Sequence, residues 1–200
     1  MSLTAISAGL FATPISGANA ETSNKTTITT NVSPVISLST SNIEVNLGAP
    51  TPTGTFASGS GTVAAATNDP NGYSIFLTSD SSSTTVLKHT DISSASINAL
   101  TSDQVIDGSK TMFDTMNTWG WSNDGVNYHS VLAKGTKNGS TSTGTTLFKK
   151  TQTPSVDNNT LTIGVTGNST LVAGQYTGTL LLTAIPNSNT SELMNYTKTV

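Results

Sequence analysis

Apolar residues in this chain recur at every second position, and only in short bursts. Ile43, Val45 and Leu47 alternate with Glu44 and Asn46; Tyr73, Ile75 and Leu77 alternate with Ser74, Phe76 and Thr78; Leu161, Ile163 and Val165 repeat the pattern. A period of two sends successive side chains to opposite faces of an extended backbone. No stretch sustains the period of about 3.6 residues that an amphipathic helix needs. Between the bursts stand turn signals: Asn68-Asp69-Pro70-Asn71-Gly72, Asn123-Asp124-Gly125 and Gly167-Asn168. Such residues tolerate positive φ or hydrogen-bond their own backbone, which is what tight turns require. Many short strands between turns predict an all-β fold, an antiparallel β-sandwich of Ig-like or Greek-key type with long Ser/Thr/Gly loops.

Composition agrees with that pattern and narrows the function classes. Thr occurs 38 times and Ser 28 times among 200 residues, Asn 18 times, and there is no Cys and no Arg. Thr favours extended chain because its branched Cβ fits a pleated surface. Without Cys there are no disulfides, no thiolate metal sites and no thiol nucleophile. A net charge of −3 with eight scattered Lys excludes the basic patch that nucleic acid demands. Hydrophobic residues at 34% suffice for a modest core, and 10% charged residues are too few for a disordered polyampholyte.

The pattern predicts three regions. Residues 1–20 read as a signal peptide that lacks its basic start: Leu3 to Ile15 is small and apolar, and Ala18-Asn19-Ala20 supplies the cleavage pattern. That run is too short for a stable membrane span. Residues 21–187 read as a single β-sandwich domain, and residues 188–200 as a polar tail or linker to a further region. Within the domain, Thr62–Thr67 and Tyr73–Thr78 are expected to form a hairpin, with Ile28–Ile36 as an edge strand interrupted by Pro34. The last and best strand is expected to run from Gln175 to Ile185, with Leu180–Leu182 buried on both faces.

Three phrases occur in order: T-N-D-P-N-G-Y (Thr67 to Tyr73), N-T-W-G-W-S-N-D (Asn117 to Asp124) and A-G-Q-Y-T-G-T-L-L-L-T-A-I-P-N (Ala173 to Asn187). Together they resemble a β-sandwich module of secreted surface proteins of ultra-small bacteria. The closing phrase is also similar to the last strand of WxL-type and fimbrial coat domains, although a Trp-x-Leu strand is absent. The resemblance spans roughly residues 35 to 187 and implies a place at the bacterial cell surface or cell wall. It implies no catalytic residues.

The candidate site residues are few. Trp119 and Trp121 sit two apart, so in a strand both indoles share a face. They either fill the core or, with Tyr128, form a platform for stacking on a sugar ring. The Asn/Asp loops at 68–71 and 123–127 carry oxygens but too few carboxylates for calcium, and they are already accounted for as turns. His89 and His129 stand in no nucleophile or metal motif, so no catalytic, metal or cofactor site is expected. The sequence therefore reads as a secreted or cell-surface structural and adhesive protein rather than an enzyme, forming a homo-oligomer or fibre. Its expected partners are neighbouring surface modules, or cell-wall or host glycans; a Thr-rich edge at Thr26–Val32 would add a strand to a neighbouring sheet. The alternative is a carbohydrate-binding module built on Trp119, Trp121 and Tyr128.

Overall fold

A computed structural model describes residues 29–30, 32–135, 145–151 and 156–188, and the backbone of 196–199. The chain divides into two units, Met1–Val32 and Ser33–Val200. Almost all the described structure belongs to the second, and the signal-like segment 1–20 lies outside the described residues.

All regular structure among the described residues is extended, as the period of two requires. In chain order the strands are β1 (Ile36–Thr40), β2 (Thr55–Thr67), β3 (Tyr73–Ser79), β4 (Leu87–His89), β5 (Ser96–Ala99), β6 (Gln104–Val105) and β7 (Thr118–Ser122). They continue as β8 (Asn127–Tyr128), β9 (Thr145–Lys150), β10 (Asp157–Gly167), β11 (Tyr176–Thr177), β12 (Leu180–Pro186) and β13 (Tyr196–Thr199). A larger sheet has the order β1-β2-β10-β7-β5-β4-β11, a smaller one β13-β12-β3-β9, and β6 pairs with β8. All pairings are antiparallel except β5 with β7.

The backbone of the larger sheet is the β2–β10 ladder, eleven residue pairs from Asp157 opposite Ala65 to Gly167 opposite Thr55. Its core face carries Val63, Ala65, Leu161, Ile163 and Val165. These pack in one cluster with Tyr73, Ile75, Leu77, Leu182 and Ala184 from the smaller sheet. Each such aliphatic side chain removed from water contributes about 1.5–3 kcal/mol. The segment Ile43–Leu47 joins this layer, with Ile43, Val45 and Leu47 half-buried and Glu44 and Asn46 exposed. It alternates in burial as its sequence predicts, but it forms no ladder: it lies over β2, where a Cβ at Gly59 would collide with the Glu44 carbonyl.

Several pairings differ from the sequence reading. The expected hairpin of Thr62–Thr67 with Tyr73–Thr78 does not form. The turn is there, with the Gly72 N–H donating to the Asp69 carbonyl at 3.0 Å and Gly72 at φ 79°. However, β2 belongs to the larger sheet and β3 to the smaller, so the turn carries the chain between sheets. Adjacent strands separated by a strong turn signal satisfy both arrangements, and here β3 takes β12 and β9 as its partners in the smaller sheet. The expected strand Gln175–Ile185 breaks at Gly178-Thr179. Its first part becomes β11 in the larger sheet, and the rest becomes β12 in the smaller. Leu180, Leu181 and Leu182 are buried as expected. Among the described residues the edge strand expected at Ile28–Ile36 starts only at Ile36, two residues after Pro34, which has no N–H to give a ladder. The polar tail returns as β13, whose backbone pairs with β12 from Leu181 opposite Thr199 to Ala184 opposite Tyr196.

Candidate functional site

The strand β7 places the candidate aromatic residues, and it is buried along its whole length. β10 flanks it on one side and β5 on the other, so it lies in the middle of the larger sheet. Trp119 and Trp121 share the core face, as their spacing predicts, with 3% and 1% of their surfaces exposed. Their indole N–H groups are spent internally: Trp119 donates to the Thr85 carbonyl at 2.9 Å and Trp121 to the Ser130 carbonyl at 3.0 Å.

Tyr128, 1% exposed, lies in a second aromatic cluster. Its ring meets Phe56 and Phe113 edge to face, at centroid distances of 5.6 and 5.3 Å. The close approach it needs is made by two glycines directly opposite each other, Gly120 on β7 and Gly164 on β10. A Cβ on Gly164 would strike the Tyr128 and Phe56 rings, and one on Gly120 would strike Leu100. Gly120 thus admits the approach on the face opposite the tryptophans that its position suggests. Of the two readings the sequence allows for Trp119, Trp121 and Tyr128, core rather than stacking platform, the structure shows core: the three rings are buried in two separate packed clusters. The physical reason is that β7 is a central strand covered on both faces, which a five-residue motif cannot reveal.

The two histidines are bonded to backbone groups and to a carboxylate. His89 is buried; its Nδ1 accepts the amides of Asp91 (3.0 Å) and Ile92 (3.1 Å), which leaves Nε2 to donate to the Ala173 carbonyl at 3.1 Å. His129 sets Nδ1 against Asp103 Oδ2 at 2.9 Å, and its ring lies 4.8 Å from that of Trp121. Among the described residues no hydroxyl group hydrogen-bonds to either imidazole, so the nucleophile–base contact of a hydrolase is not assembled.

The acidic loops are self-satisfied turns. The side-chain amide of Asn127, then the backbone amides of Val126 and Asn127, hold the Asp124 carboxyl well below the usual carboxylate range. Burial by itself would raise the pKa of Asp69. The Ser188 hydroxyl and amide and the Asn71 amide outweigh it, so that carboxyl too lies below its ordinary value. Among the described residues no three His, Cys, Asp or Glu side chains come together as a metal site. A cavity of about 220 Å³ lies between Asn98, Leu100, Gln104, Met116 and Thr118. That is smaller than the roughly 300–1,000 Å³ of ordinary ligand sites.

What remains chemically available is backbone at the sheet edges. The Asn68 N–H donates to the Val35 carbonyl (3.3 Å) and the Ser41 N–H to the Thr62 carbonyl (3.1 Å). With Ile36 opposite Thr67 and Thr40 opposite Val63, those bonds make Ile36, Leu38 and Thr40 the non-hydrogen-bonded positions of the ladder. Their N–H and C=O groups point away from β2, and no described strand pairs with them there. The sequence reading placed the assembling edge at Thr26–Val32. Most of that segment lies outside the described residues, and Thr29, Thr30 and Val32 form no strand. The signal that would have found β1 is the alternation Ile36, Leu38, Thr40 after Pro34.

Compared with protein-family models, curated proteins and solved structures, the chain matches none.

Proposed function

We propose that this chain is an exported structural or adhesive protein of a bacterial cell surface, without catalytic activity. Its fold on this reading is a β-sandwich of Ig-like or Greek-key type, and it joins neighbouring surface modules or copies of itself by strand addition at β1. The observation that carries the reading is the outer edge of β1: a strand with no Lys, no Pro and no bulge turns three N–H and three C=O groups away from β2, and no described strand pairs with them, although β12 and β13 pass close to β1. Such an edge is a template for another strand unless something blocks it. The A-x-A pattern at 18–20, the Ser/Thr-rich surface and the lack of an assembled nucleophile support the same reading. Among the described residues no helix is long and apolar enough to cross a membrane. Retention of a glycan by Trp119, Trp121 and Tyr128 would require rings that are exposed, so no observation favours that alternative.

Light scattering on a sizing column, run over a range of protein concentrations, tests the proposal. The expected result is a mass that rises with concentration. Thr40→Pro removes one outward donor and no ladder bond to β2, so the chain should stay folded and become monomeric. Ser39→Lys puts a charge on the exposed face beside the edge and should weaken association in the same direction. A strict monomer at every concentration, or assembly unchanged in both variants, would overturn the assignment of β1.

A further inference from the structure

Two sulfur atoms converge on the start of β2. The point where a Cβ of residue 54 would stand lies 2.8 Å from Met116 Sδ and 2.9 Å from Met112 Sδ. Gly54 leaves that point empty, and its φ of 107° is one that glycine alone adopts readily. The two sulfurs are therefore less than about 6 Å apart, and a metal bound to two sulfurs at about 2.3 Å each spaces them by up to about 4.6 Å. The chain has four Met and no Cys, and Met112 and Met116 supply the only sulfurs among the described residues. Both fall on one spot.

Backbone bonds fix each side of the pair. Between the methionines the Phe113 N–H donates to Thr166 Oγ1 of β10 at 3.0 Å, and the Phe113 ring is fully buried. Just after them the Thr118 hydroxyl donates to the Thr115 carbonyl at 2.6 Å and the Asn98 N–H to the Asn117 carbonyl at 3.1 Å. Opposite, the Gly54 N–H donates to the Thr51 carbonyl at 3.1 Å, and the Thr51 hydroxyl donates to the Gly54 carbonyl at 2.7 Å. Met112 and Met116 are both half-buried. Met116 also lines the cavity of about 220 Å³, with Thr115 and Thr118, which leads an ion in from solvent.

We propose that Met112 and Met116 hold one soft monovalent cation, copper(I) or silver(I), between their thioether sulfurs. A thioether is neutral, polarisable and never protonated in water, so it selects such ions over the hard cations that carboxylates and water suit. Two donors are enough for an ion that accepts linear coordination. The bound ion ties the loop between β6 and β7 to the entry of β2, in a chain that has no disulfide to do so. The site is remote in sequence from β1 and stands or falls separately from strand addition.

Silver nitrate titrated into the full chain in chloride-free buffer tests the site, with copper kept reduced by ascorbate as the second probe. Native mass spectrometry should show one ion retained per chain, and the ε-methyl resonances of Met112 and Met116 should move together. Zinc at the same concentration should move neither. Met112→Leu and Met116→Leu nearly conserve volume, so each should stay folded. Each should weaken retention about tenfold or more, as losing a group from a metal site does. The double variant should lose the ion, and Met194→Leu should keep it. Should a Leu variant unfold, the methyl resonances of the parent decide the matter. Retention unchanged in the double variant, an equal response to zinc, movement confined to Met1 and Met194, or no retention by the parent would each overturn the proposal.

Discussion

Two edges of this molecule are treated in opposite ways. β9, at the border of the smaller sheet, carries features that discourage a partner strand. Its register with β3 slips between Ile75 and Phe76, leaving Leu147 as the extra residue of a bulge. The Asn123 side chain donates to the Leu147 carbonyl at 3.0 Å, Asn187 donates to the Lys150 carbonyl at 2.6 Å, and Lys149 and Lys150 are exposed. Bulge, capped carbonyl and lysine are the devices by which sheets discourage edge-to-edge pairing. β1 has none of them. Its residues are Ile, Ser and Leu followed by Ser and Thr, its ladder is regular, and no described strand pairs with its outward groups. Uncharged Ser and Thr are not neutral filler at an edge: they leave the backbone as the dominant recognition surface.

The most drastic way to break the contrast is to remove the sheet that carries β1. Trp121→Ala should cost about 3–5 kcal/mol, because it opens a large void in the shared core. Denaturant unfolding would measure this, and a loss below about 1 kcal/mol would mean the indole is not packed as described.

Asp69 offers a subtler lever. It lies in the turn that anchors the entry to β1, where the Val35 N–H donates to Asn68 Oδ1 at 2.6 Å and the Thr67 hydroxyl to the Val35 carbonyl at 2.7 Å. The folded pKa of Asp69 lies below its ordinary value. Its contribution to stability is therefore fully present above the unfolded value of about 3.9, and is lost as pH falls through and below that value. Asp69→Asn should cost about 1–3 kcal/mol at neutral pH, because the donors of Ser188 and Asn71 lose a charged acceptor. It should also make the urea midpoint less sensitive to acid. A variant as acid-sensitive as the parent would show that other carboxylates carry the effect.

The smallest expected effect would sharpen the contrast. Asn123→Ala with Lys149→Thr uncaps and discharges β9 at a cost of about 1 kcal/mol. Association should then appear at a second edge and survive Thr40→Pro. If the doubly altered chain carrying Thr40→Pro stays monomeric, the bulge together with Lys150 and its capped carbonyl suffices to protect β9.

Much of the strand inventory was legible from alternation, because burial on one face writes itself directly into a period of two. β10 and β3 follow their apolar residues, and the turn at Asn123-Asp124-Gly125 forms with Gly125 at φ 77°. β9 was not legible: Thr145-Thr146-Leu147-Phe148-Lys149-Lys150 holds adjacent apolar residues across a bulge, which hides the period. The Trp pair was legible as a same-face pair but not as buried, since a strand motif says which residues agree in direction and nothing about which way they point.

The sequence alone determined that this chain is all-β, that it has no thiol chemistry and no basic patch, and that its turns fall at Asn, Asp and Gly. Those are local consequences of side-chain shape, charge and backbone freedom. Only the tertiary structure decided which strands are partners, that β2 and β3 part into different sheets, that the tryptophans face the core, and that the guarded edge is β9 rather than β1. Strand pairing rests on backbone hydrogen bonds that every residue can make, so the choice among partners is settled by how whole faces bury together.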